Sequence, residues 1–282
     1  MAVIVELVSY PIKGCAGTPL PRARIGWAGL DHDRSFMVVD EHGTFRSQRR
    51  DPRLALVRPE VAADGRRLVL RAPGMDAVEI AVDTTSAPRG VSLFRTAYEG
   101  VDQGPEAAAW LSEFLGAPSS LVRVPPGHAR VTSGLTPGTS GYADSGAVHL
   151  ISRPSLDVLN RRLAEAGRPA VPMERFRPNI VVDGWEEPHA EDEVRRARVG
   201  TAELGFAKLA LRCVVTTVDQ RTGARAGPEP LRTLASYRRV PEGQVAFGAK
   251  FAVVRPGRAA LGDEVLVDVW SEGTAGLADA VR

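Results

Sequence analysis

Residues 35–48 read SFMVVDEHGTFRSQ, and this stretch predicts a β-hairpin. Apolar and polar residues alternate on both sides of the segment Asp40-Glu41-His42-Gly43, as in two half-buried strands joined by a tight turn. Gly43 can take the positive φ that such a turn needs, because glycine has no Cβ that would clash. The local pattern is therefore that of a sheet.

Similar runs recur along most of the chain and are separated by turns rich in Gly and Pro. They read LALVRPEV, RLVLRA, VEIAV, VSLFR, NIVVD, RRARVG, VVTTV, KFAVV and EVLVDV. Short strands at this even spacing are typical of barrels and sandwiches. We expect a fold that is mainly β with a few helices.

Three segments have helical character: PEAAAWLSEFLG, RPSLDVLNRRLAEAG and the shorter EPLRTLASYRR. The first repeats apolar residues at Ala108, Leu111 and Leu115, and the second ends at Gly167. A segment rich in Gly, Pro and Ser follows the first helix and indicates a domain boundary; it reads GAPSSLVRVPPGHARVTSGLTPGTSG. We therefore predict two domains, residues 1–120 and residues 121–282.

Composition places the chain among intracellular proteins. With 36 Lys and Arg against 34 Asp and Glu the net charge is +2, so no overall field favours a nucleic acid or an anionic membrane. Two cysteines, Cys15 and Cys213, suit a reducing compartment. The N-terminal MAVIVELVSYPIKG is too short and too interrupted for a signal peptide or a membrane span. A cytoplasmic location is expected.

Cys213 lies in KLALRCVVTTVDQRTG, directly after Arg212 and at the end of an apolar run. A thiolate is a nucleophile and a soft metal ligand. A cysteine in such a run can equally be a small buried hydrophobe. In a regular strand, moreover, the side chains of Arg212 and Cys213 would point to opposite faces. The residues alone leave both interpretations open.

Other basic residues lie where an anion could bind. In ERFRPNIVVDG, the side chains of Arg175, Arg177 and Asn179 would share one face of an extended strand and could hold a phosphate or a heterocycle. Lys13 occupies a Gly-flanked loop after the first strand. Arg34 could also bind an anion, but it follows Asp33 directly, and a structural ion pair with Asp33 is an equally good interpretation.

Taken together, the segments resemble the MOSC family with its N-terminal β-barrel domain, and in particular the amidoxime-reducing components. The matching strings are YPIKGC, GLDHDRSFMVVDEHG, SQRRDPRLALV, YADSGAVHLIS, FRPNIVV, RCVVTTVDQRTG, EPLRTLASYR and VAFGAKFAVVRPG. They follow the family order over nearly the whole chain. The resemblance implies a β-barrel MOSC domain packed with a smaller N-terminal β-barrel domain, with a molybdenum cofactor (molybdopterin) between them.

The same resemblance assigns roles to residues of this chain. Cys213 matches the protein ligand to molybdenum, and Arg212 would lie near the negatively charged dithiolene. The other positions that match cofactor-binding residues are Lys13, Arg34, Ser145, Arg177, Asn179 and Thr217. Asp219, in the same string as the ligand, is predicted to take part in catalysis. At Phe247-Gly248-Ala249-Lys250 the chain lacks an amide that is common in the family, which leaves substrate preference open.

Relatives reduce small N-hydroxylated substrates such as amidoximes, hydroxylamines and hydroxylated bases, so the same activity is expected here. Only two cysteines are present, which is too few for an iron–sulfur cluster. Electrons would therefore come from a separate ferredoxin or cytochrome-type protein. No membrane anchor and no nucleic-acid partner are expected. The alternatives are a carrier of molybdopterin without turnover and a sulfur-transfer protein.

Overall fold

A computed structural model describes residues 1–241 and 243–271. The strands are β1 (Val3–Ser9), β2 (Ile12–Lys13), β3 (Thr18–Pro19), β4 (Arg22–Gly26), β5 (Gly29–Leu30), β6 (Phe36–Val39), β7 (Arg58–Val61), β8 (Arg67–Arg71), β9 (Val78–Ala81), β10 (Arg89–Leu93), β11 (Thr96–Asp102), β12 (Ser120–Arg123), β13 (Val131–Thr132), β14 (Gly138–Thr139), β15 (Val148–Ser152), β16 (Ile180–Asp183), β17 (Val194–Val199), β18 (Ala202–Arg212), β19 (Val218–Asp219), β20 (Ala224–Arg225), β21 (Val245–Arg255), β22 (Gly257–Ala260) and β23 (Val265–Trp270). The α-helices are α1 (Pro105–Leu115), α2 (Arg153–Glu165) and α3 (Leu231–Ala235), and short 3₁₀ helices cover Pro52–Leu56, Met173–Arg175, Ala190–Asp192 and Val214–Thr217. The predicted mainly β fold with a few helices is confirmed.

The largest sheet in the described residues has the strand order β23-β17-β18-β21-β15-β16-β1-β3. Its centre is the antiparallel pair β18 and β21, each 11 residues long. Side chains such as Ile4, Leu150, Phe206 and Phe251 form the core on this sheet. Because β1 pairs with β16, the first strand of the chain is part of a sheet built mostly from the C-terminal half.

A second core lies between a five-stranded sheet of the described chain, ordered β10-β11-β12-β6-β2, and helix α1. It contains Phe36, Leu54, Trp110 and Leu121, all from the N-terminal half. The predicted division into residues 1–120 and 121–282 stays a prediction, and residues 272–282 lie outside the described residues.

The hairpin of residues 35–48 has the predicted turn. The Asp40 carboxylate accepts hydrogen bonds from the backbone N–H groups of His42 at 3.1 Å and Thr44 at 2.9 Å. Gly43 has a φ of 74°. The return run is shorter than predicted. Beyond the turn, a bridge joins Phe45 to Val39, and the Arg46 N–H donates to the Val38 carbonyl at 2.9 Å.

Helices α1 and α2 occupy the predicted segments. The predicted buried face of α1 was partly wrong: its buried residues are Ala107, Trp110, Leu111 and Phe114. The two large aromatic side chains turn the helix toward the core, because they bury more apolar surface than Ala108 or Leu115 would. No helix within the described ranges is both long and apolar enough to cross a bilayer.

Candidate active site

A cavity of about 380 Å³ is lined by residues of both halves of the chain. Of the positions singled out in the sequence, those that line it are Lys13, Arg34, Ser145, Arg177, Arg212 and Cys213. Lys13 and Arg34 come from the N-terminal half and the other four from the C-terminal half. The fold therefore brings together six residues that are spread over 200 positions of sequence.

Cys213 follows the last residue of β18 and precedes the 3₁₀ helix Val214–Thr217. Its carbonyl accepts hydrogen bonds from the backbone N–H and the hydroxyl of Thr216, both at 3.0 Å, so the backbone turns here. The predicted VVTTV strand is accordingly wrong. The pairing of β18 with β21 also shifts register between Leu209 and Leu211. Because the strand ends at Arg212, Arg212 and Cys213 both line the cavity, contrary to the expectation of opposite faces.

Arg34 is held in place by a buried network. Its Nη1 donates to Asp33 Oδ2 at 2.6 Å and to Asn179 Oδ1 at 3.0 Å, and its Nη2 donates to the carbonyl of Arg177 at 3.2 Å. The backbone of Arg34 has a φ of 47°, and the approach is close, since a Cβ on Gly141 would lie 2.7 Å from the Arg34 carbonyl oxygen. The guanidinium is thus fixed at the cavity wall.

Asn179 supports this network from behind and does not line the cavity. Its Oδ1 accepts from Arg34 and from the backbone N–H of His149, at 3.0 and 3.1 Å. Its Nδ2 donates to the Val8 carbonyl at 3.1 Å and to Asp33 Oδ1 at 2.9 Å. All of its hydrogen-bonding capacity is used inside the protein, so it positions Arg34 and does not reach a ligand.

Arg177 lines the cavity, but the backbone around it differs from the predicted extended strand. The expectation that Arg175, Arg177 and Asn179 share one face of an extended strand is wrong. Residues Met173–Arg175 form a 3₁₀ helix, Arg177 has a φ of 56°, and β16 begins only at Ile180. Arg175 consequently points away and pairs with Asp219, with Nη2 and Oδ2 3.2 Å apart.

Tyr10 separates two of the guanidinium groups. The Cζ atoms of Arg34 and Arg177 lie 4.4 Å and 4.3 Å from the centre of its ring, and the ring is buried. Desolvated cation–π contacts of this kind stabilise by about 1–2 kcal/mol each. The ring therefore spaces two like charges that would otherwise repel each other.

We expect Tyr10→Leu to lower the free energy of unfolding by about 2–4 kcal/mol, because it removes both cation–π contacts and leaves a cavity. Urea denaturation of the protein without cofactor measures the loss. Tyr10→Phe, which keeps the ring, is the matched control and should cost less than about 1 kcal/mol. Equal losses in the two variants would contradict a role for the ring.

Lys13 is the last residue of β2 and pairs with Asp144. Its Nζ also lies 5.2 Å from the ring centre of Phe45 and 5.3 Å from that of Phe94. Arg130 holds the loop that carries Asp144, with Nη2 donating to the Asp144 carbonyl at 3.2 Å. The ion pair therefore joins the N-terminal half to the loop that also contains Ser145.

Positive charge dominates the cavity wall. The basic side chains that line it are Lys13, Arg34, Arg49, Arg177, Lys208, Arg212 and Lys250, and the acidic one is Asp144. Burial, with Arg177 and Arg34 nearby, lowers the pKa of Arg212 to about 10. Its buried Nε has no hydrogen-bond partner among the described residues. Crowded cations of this kind are stabilised by an anion.

Thr217 and Asp219 lie outside the cavity wall. The Thr217 hydroxyl donates to the Val214 carbonyl at 2.7 Å. The Asp219 carboxylate accepts from the backbone N–H groups of Arg221 and Thr222 at 2.9 and 3.0 Å, and it also pairs with Arg175. Burial raises the pKa of Asp219, but these partners outweigh it and hold the pKa below its ordinary value. The catalytic role predicted for Asp219 finds no support in this geometry.

Sequence reasoning missed four basic residues of the cavity wall: Arg49 and three strand residues, His149, Lys208 and Lys250. A signal was nevertheless present, because each of the three interrupts an otherwise apolar strand, in VHLIS, KLALR and GAKFAVV. Charged side chains are rare in such positions unless a partner or a ligand compensates them.

The imidazole of His149 makes stability depend on pH. Burial, with the charges of Lys250, Arg212 and Arg34, keeps its pKa well below the ordinary value of 6.5. As the pH falls below 6.5, the unfolded chain binds a proton that the folded protein does not, so stability is full above this pH and is lost below it. Stability falls by about 1 kcal/mol between pH 6.5 and 5.5, and the slope approaches about 1.4 kcal/mol per pH unit at lower pH.

His149→Gln should remove the contribution of His149 to the change of unfolding free energy with pH. The measurement is urea denaturation of the cofactor-free protein at pH 7.5, 6.5 and 5.5. His42→Gln, on the exposed hairpin turn, is the control and should leave the slope as in the wild type. An unchanged slope in His149→Gln would contradict a lowered pKa of His149 in the folded protein.

Comparison with known proteins agrees with this architecture. The model of the MOSC N-terminal beta barrel domain matches residues 1–118, and that of the MOSC domain matches residues 137–266. Mitochondrial amidoxime reducing component 2 of Rattus norvegicus is 35% identical over 91% of this chain and 80% of its own length. Mitochondrial amidoxime-reducing component 1 of Homo sapiens is 32% identical over 94% of this chain and 82% of its own length.

Molybdenum cofactor sulfurase of Danio rerio is also similar, at 32% identity over 88% of this chain, but the match covers only 32% of that protein. Two domain models in the expected order and relatives matched over most of their length confirm the predicted family. The chain belongs to the MOSC family, in the form that joins a MOSC N-terminal beta barrel domain to a MOSC domain, together with the amidoxime-reducing components.

Proposed function

We propose that this protein is a molybdenum-cofactor-dependent reductase of small N-hydroxylated compounds. The observation that carries the proposal is a cysteine at the wall of a cavity whose charged side chains, apart from Asp144, are all cationic. A thiolate is a soft ligand suited to a metal bound by sulfur, and fixed guanidinium groups suit a phosphate and a dithiolene. The names of the amidoxime-reducing relatives point to the same chemistry.

The residues present fit the cofactor. Cys213 would be the protein ligand to molybdenum. Arg212 would lie beside the dithiolene, and its buried Nε has no hydrogen-bond partner within the described residues that would compete with the anion. Lys13, Arg34, Ser145 and Arg177 would hold the pterin and its phosphate, and Asn179 would keep Arg34 oriented. Asn179 thus acts on the site through Arg34. Arg175, which pairs with Asp219, donates to the carbonyl of Thr216 on the cavity wall at 3.4 Å.

When bound, the cofactor would supply the two-electron chemistry that removes the oxygen of an N–O bond as water, with two protons. The chain's own part is to hold a preorganised cationic wall, so that little reorganisation is needed when an anion binds. The apolar side chains Phe45, Phe94 and Leu209 also line the cavity and limit the access of water. Electrons would come from a separate ferredoxin or cytochrome-type donor.

The test is metal analysis and cofactor extraction from purified protein, together with benzamidoxime reduction driven by a dithionite-reduced dye. We expect about one molybdenum per chain and conversion of benzamidoxime to benzamidine. Bound cofactor without reduction of any N–O substrate would favour a molybdopterin carrier. A labile extra sulfur on Cys213 in the absence of molybdenum would favour sulfur transfer. The similarity to a molybdenum cofactor sulfurase suggests this alternative.

A further inference from the structure

Three basic residues form a row across neighbouring strands of the large sheet. His149 on β15 lies directly opposite Lys250 on β21. Lys250 in turn lies opposite Lys208 on β18. Directly opposed residues of antiparallel strands project to the same face, and all three side chains line the cavity. We call His149, Lys208 and Lys250 the basic row.

The basic row has no acidic partner in the described part of the chain. Asp144, the acidic residue of the cavity wall, pairs with Lys13. None of the ion pairs formed by the described residues includes Lys208 or Lys250. Lys208 only donates to the Ser133 hydroxyl, at 3.3 Å. Two lysines face the cavity, and the carboxylate on its wall, Asp144, is already paired with Lys13. The arrangement is incomplete, because partly buried charges need a counter-charge.

The hydrogen bonds of His149 indicate that the missing partner of the basic row is an anion. Its Nδ1 donates to the carbonyl of Arg177 at 3.3 Å, which places the hydrogen of the neutral ring on Nδ1. Its Nε2 is buried and has no partner among the described residues. An anion beside Nε2 would favour protonation there, and the ring would then donate to it. Burial, Arg34 and Arg212 also hold the pKa of Lys250 well below its ordinary value, and an incoming anion would reverse that effect.

The basic row is additional to the residues assigned to the cofactor. Lys13, Arg34, Arg177 and Arg212 already provide four cations for the dithiolene and the phosphate. We propose that the basic row binds an anionic group of the substrate, so that the preferred substrates are N-hydroxylated compounds that carry a carboxylate or a similar oxyanion. This inference rests on the proposed reductase function and adds a substrate class to it.

The experiment compares two substrates that differ in charge and not in size, 4-carboxybenzamidoxime and 4-carbamoylbenzamidoxime. For the wild-type holoenzyme, we expect kcat/KM for the carboxylate to exceed that for the amide by about 10-fold or more, mainly through KM. The preference should weaken as ionic strength rises. Benzoate should likewise compete with substrate better than benzamide does, which tests the subsite without any variant.

Lys250→Met should lower this preference about 10-fold, and Lys250→Arg should restore most of it, because the charge returns. Lys208→Met should act in the same direction and serves as a second variant. Arg66→Met is the control for the loss of one positive charge on an exposed turn outside the cavity, and it should leave the preference as in the wild type.

The outcomes separate the inference from the proposed function. Reduction of both substrates without a preference for the carboxylate would overturn the subsite and leave the reductase in place. Loss of molybdenum in Lys250→Met, with equal loss on both substrates, would assign Lys250 to the cofactor and also overturn the subsite. If fully loaded wild-type protein reduced no N–O substrate, the proposed function would fail and the inference with it.

Discussion

Cys213→Ala is expected to contain almost no molybdenum and to reduce benzamidoxime more than about 100-fold more slowly than the wild type. Changing residues that only support a metal ligand already costs about 10–100-fold, and here the predicted ligand itself is removed. The measurements are metal analysis of the purified variant and initial rates with a dithionite-reduced dye. The fold should persist, because the thiol is partly exposed and lies at a cavity wall.

The chain offers a matched control for this variant. Cys15 is the other cysteine of the sequence, and it is fully buried in the N-terminal core, where burial raises the pKa of its thiol to about 12. Cys15→Ala should lose about 1–2 kcal/mol of stability through the small cavity it leaves, and keep its molybdenum. A Cys213→Ala protein with full metal content and full activity would end the proposed assignment.

Asn179→Ala is expected to lower the free energy of unfolding by about 3–5 kcal/mol and to reduce molybdenum content at least 10-fold. The substitution removes four buried hydrogen bonds, to Arg34, His149, Val8 and Asp33. It leaves the Asp33 carboxylate and two backbone groups short of partners, and it releases the guanidinium of Arg34. Urea denaturation gives the first quantity and metal analysis of the folded fraction gives the second.

Asn160→Ala separates the two effects. Asn160 is partly buried, and its amide bonds the backbone of Val171 in both directions, at 3.1 Å and 2.9 Å, away from the cavity. We expect it to cost about 1–2 kcal/mol and to leave the metal content unchanged. If both asparagine variants lost molybdenum in proportion to their stability, Asn179 would have no specific role in orienting Arg34.

Much of the local structure could be predicted because its causes are local. Asp40 and Gly43 provide the acceptor and the positive φ that a tight turn needs, and the turn is found there. Helix α2 begins after Ser152, whose hydroxyl accepts from the backbone N–H of Ser155, and Gly167 with a φ of 65° follows its end. Where the pattern failed, as in residues 214–217, side chains of Thr216 and Thr217 bond the preceding backbone and bend it.

The site could be predicted only in part. Specific strings led to Cys213 and to the basic residues around it, and the structure gathers six of those positions at one cavity. Spacing alone could not decide whether Asn179, Thr217 and Asp219 contact a ligand. Neighbouring residues of one strand or turn can face different surroundings. The basic row was missed because its members are about 40–100 positions apart and meet only through strand pairing.

By itself, the sequence determined that the chain folds mainly as strands, where its turns and longer helices lie, and to which family it belongs. The strands, turns and helices follow from backbone preferences and alternation over a few residues, which act in any context, and the family was indicated by specific strings that resemble the MOSC proteins. Only the tertiary structure decided that β1 joins the C-terminal sheet, that Tyr10 lies between Arg34 and Arg177, and that His149, Lys208 and Lys250 line one cavity. Those contacts arise from burial and strand register between distant segments, and no local pattern encodes them.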